Sequence, residues 1–160
     1  MKKQKLISLS VVAVLCGILF NASIDAQAVN QRGRSMNSEL TLAESAESMG
    51  SIRGRYLSFG DCSITKAGNG RIYVYGGTTA STYTDYVGVF LYVDQYDPVT
   101  ELWNQIDFVR GDSYNAYFTF VTKTISVARG YYYRVHADHF AGPIDNLDDV
   151  FTYTNGIWVN

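Results

Sequence analysis

From Asp61 to the C terminus, apolar and polar residues alternate in short runs, and Tyr, Val, Ile, Phe and Thr dominate. A period of two places successive side chains on opposite faces of a strand, so the pattern predicts antiparallel sheets that each bury one face. Turn residues separate the runs at Asn69-Gly70, Asp97-Pro98 and Arg129-Gly130. No stretch of helical length shows a helical period. We therefore predict an all-β domain.

Seven strands are predicted, and seven short strands in about 100 residues are typical of a two-sheet sandwich. They cover residues 62–66, 71–75 with an extension to 80, 86–96, 102–110, 116–127, 131–138 and 150–159.

The order of motifs resembles fibronectin type III domains. Residues 87–96, a turn and Trp103 resemble their central hairpin, and residues 124–137 resemble their fifth strand, turn and sixth strand. Tyr131 or Tyr133 is the candidate for a tyrosine corner. The resemblance implies a seven-stranded antiparallel immunoglobulin-like or fibronectin type III-like β-sandwich, although the immunoglobulin cysteine pair is absent.

The N terminus reads as an export signal. Three lysines among the first five residues precede an apolar run over residues 6–20, and Ala26-x-Ala28 fits a signal-peptidase site. We predict a signal peptide over residues 1–28 and a secreted, extracellular chain that begins near Val29. A retained anchor is disfavoured because the run is shorter than the roughly 20 residues of a spanning helix. Lipidation is disfavoured because Cys16 lies in the middle of the run.

After the signal, residues 29–52 are polar and irregular, and we expect a flexible segment before a sandwich domain over residues 53–160. Cys62 is the one cysteine outside the signal, so no internal disulfide can form. Burial as a small apolar residue, catalysis and pairing with another chain remain open for this thiol.

Charge excludes two classes of partner. Three of the 13 basic residues and one of the 15 acidic residues lie in the signal, which leaves 10 and 14 and a net charge of about −4. No cationic cluster is present for nucleic acid or for a membrane surface. Gly68-x-Gly70 is not a phosphate loop, because no Gly-Lys-Ser/Thr follows it. No cofactor is predicted.

The chain also resembles small exported proteins of Gram-positive bacteria that form a family of unknown function. The resemblance implies an exported β-sandwich and supplies no activity. Its motifs are Arg53-Gly54-x-Tyr56-Leu57, Cys62-x-Ile64, Gly68-x-Gly70-x-Ile72, Gly77-x-Thr79, Gly130-Tyr131-Tyr132-Tyr133-Arg134-Val135 and Thr154-Asn155-Gly156-Ile157.

Two polar groups are candidates for metal binding. His136 and Asp138 share a strand face, and His139 can join them if the chain bends there, but a zinc site needs three or four ligands. Residues 145–149 hold three aspartates, without the glycine and terminal glutamate of an EF-hand. We expect ordinary solvated residues in both places, so no metal ion is predicted. Cys62 with either histidine lacks a local catalytic motif, so no catalytic residue is predicted.

Aromatic residues carry the remaining hypothesis. Tyr73, Tyr75, Tyr92, Trp103 and Tyr132 are predicted to face outward, where they can bind a partner or simply pair across strands. We expect a non-enzymatic extracellular module that binds a protein or glycan. A carbohydrate-binding module with an aromatic platform is the first alternative, and a metal-dependent hydrolase is the second. The sequence leaves the ligand and the oligomeric state open.

Overall fold

The computed structural model of the protein describes residues 36, 38–48 and 54–160. The predicted signal peptide at residues 1–28 lies outside these residues. Within them, no helix is long and apolar enough to cross a membrane.

The described chain is all-β, as the alternating pattern predicts. Its strands are β1 (Leu40–Thr41), β2 (Ser45–Glu47), β3 (Leu57–Lys66), β4 (Arg71–Asp97), β5 (Leu102–Ser126), β6 (Tyr131–Gly142), β7 (Asp148–Tyr153) and β8 (Gly156–Val159).

The strands form a single mixed sheet in the order β1-β8-β6-β4-β3-β2, and β4 is its central strand. The first half of β4 pairs with β3, its second half pairs with β6, and β5 follows it on the other side along both halves. Strand β7 pairs with β6. The contact between β1 and β8 is parallel, whereas the other pairs are antiparallel.

The sheet curls so that its two halves share one core. The register of β4 with β5 shifts between Thr79 and Thr84. This irregularity separates the two halves of the sheet, whose inner faces pack against each other. At the rim of the core, Lys123 and Asp107 lie on opposite halves of β5 and form an ion pair of 2.7 Å. The main core cluster consists of Cys62, Ile64, Ile72, Val74, Val89, Leu91, Val93, Tyr133, Val135, Ala137, Ile157 and Val159.

The strand boundaries differ from the seven predicted strands. The predicted second and third strands are one strand, β4, and the predicted fourth and fifth are one strand, β5. Gly77 lies beyond residues 71–75 of the second predicted strand and Gly111 follows the fourth predicted strand at residues 102–110, yet they pair with Phe120 and Val89 and continue the ladder. The all-β class is confirmed, while the seven-stranded immunoglobulin-like arrangement is not.

The segment expected to be flexible contributes two strands. Leu40–Thr41 pairs with β8, and Ser45–Glu47 pairs with β3, so the sheet extends beyond the predicted boundary at residue 53. Side chains reinforce this pairing, because Ser38 Oγ donates to the carbonyl of Thr154 at 2.7 Å. Backbone pairing to existing sheet edges orders a segment that has few apolar residues of its own.

Candidate functional site

One outer face of the sheet carries a group of accessible aromatic rings. It lies on β3, the first half of β4 and the second half of β5, on the side away from the core. We call this group the ring platform, and its members are Phe59, Tyr73, Tyr75, Phe118 and Phe120.

Strand register explains why these rings share a face. Phe59 on β3 and Phe118 on β5 both pair with Thr79, so the two phenylalanines flank it in one row across the sheet. Phe120 lies one row further along β5, and its ring stacks on that of Phe118 at 5.8 Å. Phe59, Phe118 and Phe120 expose 48%, 41% and 56% of their surface, which is unusual for three phenylalanine side chains on one face of a sheet.

A polar recess interrupts the platform. Gly77 lies between Asp61 and Phe120, and a Cβ there would be 2.9 Å from the Asp61 carboxylate and only 2.2 Å from the Tyr75 hydroxyl. The tyrosine ring therefore covers the glycine. A cavity of about 290 Å³ opens here and is lined in part by Asp61, Tyr75 and Glu47. Burial, and then the charge of Glu47, raise the pKa of Asp61.

The structure divides the predicted aromatic residues between two surfaces. Tyr73 and Tyr75 belong to the ring platform, whereas Tyr92, Trp103 and Tyr132 lie on the outer face of the other half of the sheet.

The rings on that second face contact other side chains. Tyr92 is buried and stacks on His136 with a centroid distance of 4.7 Å, so its predicted outward exposure is wrong. The Trp103 ring lies under the guanidinium of Arg134 at 4.4 Å. Tyr132 packs edge-on against Trp158.

Sequence reasoning missed the three phenylalanines of the platform. A local signal for them existed at Phe118-Thr119-Phe120, where two apolar residues flank a polar one. This segment lies in β5, whose partner strand β4 is buried on its inner face. The alternation alone does not tell which face meets solvent.

The candidate metal ligands His136, Asp138 and His139 are not brought together. His136 and Asp138 lie on the outer face of β6, and His139 lies on the inner face, because adjacent strand residues point to opposite sides. In the described part of the chain, no three His, Cys, Asp or Glu side chains are placed to hold a metal ion.

His136 belongs to a buried charged cluster on the outer face. Asp94 Oδ2 lies 3.1 Å from Nδ1 of His136 and accepts a hydrogen bond of 3.0 Å from Nε of Arg134. Burial raises the pKa of Asp94, but the hydrogen bonds and charges of His136 and Arg134 outweigh burial and lower it overall.

His139 belongs to a separate buried chain of hydrogen bonds. Thr78 Oγ1 donates to the carbonyl of Gly88 at 2.9 Å and lies 2.8 Å from His139 Nδ1. Since the single hydroxyl proton of Thr78 goes to Gly88, Nδ1 must carry the proton of the neutral imidazole. The bare Nε2 then accepts from Thr152 Oγ1 at 2.8 Å. Thr152 Oγ1 also lies 3.3 Å from Cys62 Sγ and extends the chain to the thiol.

These surroundings make Cys62 and His139 poor catalytic groups. Burial raises the pKa of the Cys62 thiol to about 12 and lowers the pKa of His139 to about 4. Neither group is charged near neutral pH, so the thiolate that nucleophilic catalysis needs is disfavoured. The fit is also tight, because a Cβ on Gly60 would lie 2.5 Å from the imidazole.

The acidic loop at residues 145–149 has a structural role. Asp148 Oδ2 accepts hydrogen bonds from the backbone amides of Tyr56 and Leu57 and so anchors the start of β3. This carboxylate of the candidate metal-binding loop therefore binds the protein's own backbone.

Comparison with known proteins identifies the family of the chain. No curated protein and no solved structure matches the chain. A family model described as a family of unknown function (DUF6147) matches residues 23–156. Because this match covers most of the chain, the protein belongs to the DUF6147 family of unknown function.

Proposed function

We propose that this protein is a non-enzymatic extracellular binding module whose ring platform holds a neutral polysaccharide. One observation carries the proposal: Phe59 on β3 and Phe118 and Phe120 on β5 lie exposed on one face of the sheet, on either side of β4. Sugar rings have an apolar face that stacks on aromatic side chains, and a flat row of such side chains suits a chain of sugars.

Cross-strand aromatic pairing does not account for these rings. Phe59 pairs with Thr79, and Phe118 pairs with the same threonine from the other side. Tyr75 pairs with Ser63 and Thr122. The rings thus face small hydroxyl residues across the strands, so their apolar surface is left for solvent or for a ligand.

The polar groups of the recess favour a neutral glycan. Asp61 and Glu47 place two carboxylates beside the rings, and carboxylates accept hydrogen bonds from sugar hydroxyls. The same carboxylates repel an acidic polysaccharide, as does the net charge of about −4 for the predicted exported chain. A protein partner is the competing outcome of the binding experiment.

Export follows from the predicted signal at residues 1–28, and the proposed ligand is an extracellular one. The fibronectin type III-like relationship is supported by Tyr133, whose hydroxyl donates to the carbonyl of Ala128 at 2.7 Å in the manner of a tyrosine corner.

Retention by insoluble neutral polysaccharides tests the proposal. We expect cellulose, chitin or another neutral glycan to retain the protein, and Phe118→Ala/Phe120→Ala to weaken retention at least tenfold, since stacking on each ring is lost. Both rings are exposed, so the variant keeps its fold. Tyr83→Ala, which removes an exposed ring outside the platform, is the matched control.

A second variant probes the recess without removing a ring. Gly77→Ala places a methyl group where the Tyr75 hydroxyl now lies and displaces that ring. Weaker retention with unchanged thermal unfolding is expected. Absence of retention across neutral glycans, or equal retention of the Phe118→Ala/Phe120→Ala variant, would overturn the carbohydrate proposal.

A further inference from the structure

A second cavity, of about 390 Å³, lies on the outer face of the other half of β4. It shares no residue with the ring platform, and its volume is within the range of small-molecule sites, roughly 300–1,000 Å³. Four rings form its walls, and the loop between β6 and β7 forms its lip. These residues are Tyr86, Phe90, Tyr114 and Phe140, with Ile144 and Leu147 at the lip.

The rings form a cage whose cation position is already filled. Phe90 and Phe140 have centroids 5.1 Å apart, and Tyr86 and Tyr114 meet edge-on at 5.4 Å. Cages of this kind bind cations over their ring faces. Here the guanidinium of Arg110 lies over Phe90 at 5.2 Å, so a cationic ligand meets an existing positive charge.

An anionic ligand is disfavoured as well. The Nε and Nη2 atoms of Arg110 both donate to the carboxylate of Asp112, and this pairing neutralises the charge. A ligand carboxylate must displace Asp112 from a bidentate contact to gain the same interaction. Nη1 of Arg110 takes no part in that contact and can donate to a neutral oxygen.

The cavity also disfavours a sugar. Besides Arg110, its lining offers only the phenol hydroxyls of Tyr86 and Tyr114, while Ile144 and Leu147 are exposed at the lip. A pyranose carries hydroxyls on every side, and most of them would lose hydrogen bonds to water without replacement. We infer that this cavity binds a small neutral ring compound, of the phenol class, whose one oxygen accepts a hydrogen bond from Arg110.

An NMR titration with four probes tests the inference on the purified protein. We expect p-cresol at millimolar concentration to shift the methyl signals of Ile144 and Leu147. Benzoate, tetramethylammonium and glucose supply the anionic, cationic and polyhydroxylated comparisons and should leave these signals unchanged. Equal response to any of the three, or no response to p-cresol, overturns the inference.

Variants identify the site. Ile144→Ser/Leu147→Ser should weaken p-cresol binding about tenfold. Val99→Ser, an equally mild change at an exposed turn, should leave binding unchanged. In the serine variant, backbone amide shifts near Phe90 and Phe140 report binding in place of the lost methyl groups.

Removal of Arg110 should open the cage to a cation. Arg110→Gln takes the cation away from Phe90 and leaves Asp112 without its guanidinium, so tetramethylammonium should then bind within the cage. A variant that gains no affinity for the cation contradicts the role given to Arg110.

Discussion

In the protein interior, Nε2 of His139 lies 2.8 Å from Oγ1 of Thr152, and this hydroxyl occupies the nitrogen at which a second proton would bind. Protonation of His139 therefore requires both a buried charge and a reversed hydrogen bond. Burial accordingly lowers the pKa of His139 to about 4.

Stability should fall as the pH is lowered from about 6.5 to about 4. In this window the unfolded chain binds a proton at His139 and the folded chain does not, so acid favours unfolding by about 3 kcal/mol. Urea denaturation at several pH values measures how steeply the free energy of unfolding changes with pH. His139→Gln should flatten this dependence, whereas His136→Gln leaves His139 and its contribution in place. A His139→Gln variant as pH-sensitive as the wild type would contradict the assignment.

Cys62 should be unreactive in the folded protein. Its thiol is 1% exposed and its pKa is raised to about 12, so little thiolate forms at pH 8. Iodoacetamide labelling followed by peptide mass spectrometry should find the Cys62 peptide unmodified in buffer and fully modified in denaturant. Rapid labelling in buffer, or a disulfide-linked dimer through Cys62, would show that the thiol is accessible.

Loss of Arg134 should destabilise the fold more than loss of the whole charged pair. Arg134→Met leaves the Asp94 carboxylate buried beside His136 alone, which we expect to cost about 3 kcal/mol or more. Asp94→Asn/Arg134→Met removes both charges and should recover part of that loss. The free energies of unfolding from urea titrations give the comparison, and equal losses in the two variants would contradict it.

The rim charges of β5 should prevent edge association. In the described part of the chain, β5 pairs on one side only, and Asp107 and Lys123 point inward at its rim. Inward charges of this kind oppose pairing with another sheet. Asp107→Val/Lys123→Val should form oligomers that light scattering detects after size-exclusion chromatography.

An ion-pair control separates this effect from simple charge removal. Glu44→Val/Lys66→Val removes a pair on β3 and its neighbouring segment, away from β5. This variant should keep the oligomeric state of the wild-type protein. Oligomers of both variants, or of neither, would argue against a specific role for the rim.

Local patterns predict the strand class well in this chain, because alternation depends only on neighbouring residues. The turn at Asn69-Gly70 is present, with Asn69 at a φ of 47°. The continuity of β4 and β5 could not be predicted, because Gly77 and Gly111 read as breaks until their cross-strand partners are known. Glycine continues a strand where a neighbouring side chain covers it, as Tyr75 does at Gly77.

The candidate sites depend on the same long-range information. Tyr73 and Tyr75 were predicted from their own strand, but Phe118 joins them only through the pairing of β4 with β5. Tyr92 appeared equivalent to Tyr73 in sequence, yet His136 covers it from β6. His139 and His136 are separated because the period of two puts them on opposite faces.

The length of β4 has a consequence for how the protein acquires its structure. Its two halves find their partners at widely separated places, on β3 before it and on β5 and β6 after it, as far as residue 142. No half of the sheet closes from local contacts alone, and contacts between distant residues slow folding. We expect the chain to stay open until nearly all of it has been synthesised, and an open chain is what passage across a membrane would require if the export predicted from residues 1–28 takes place.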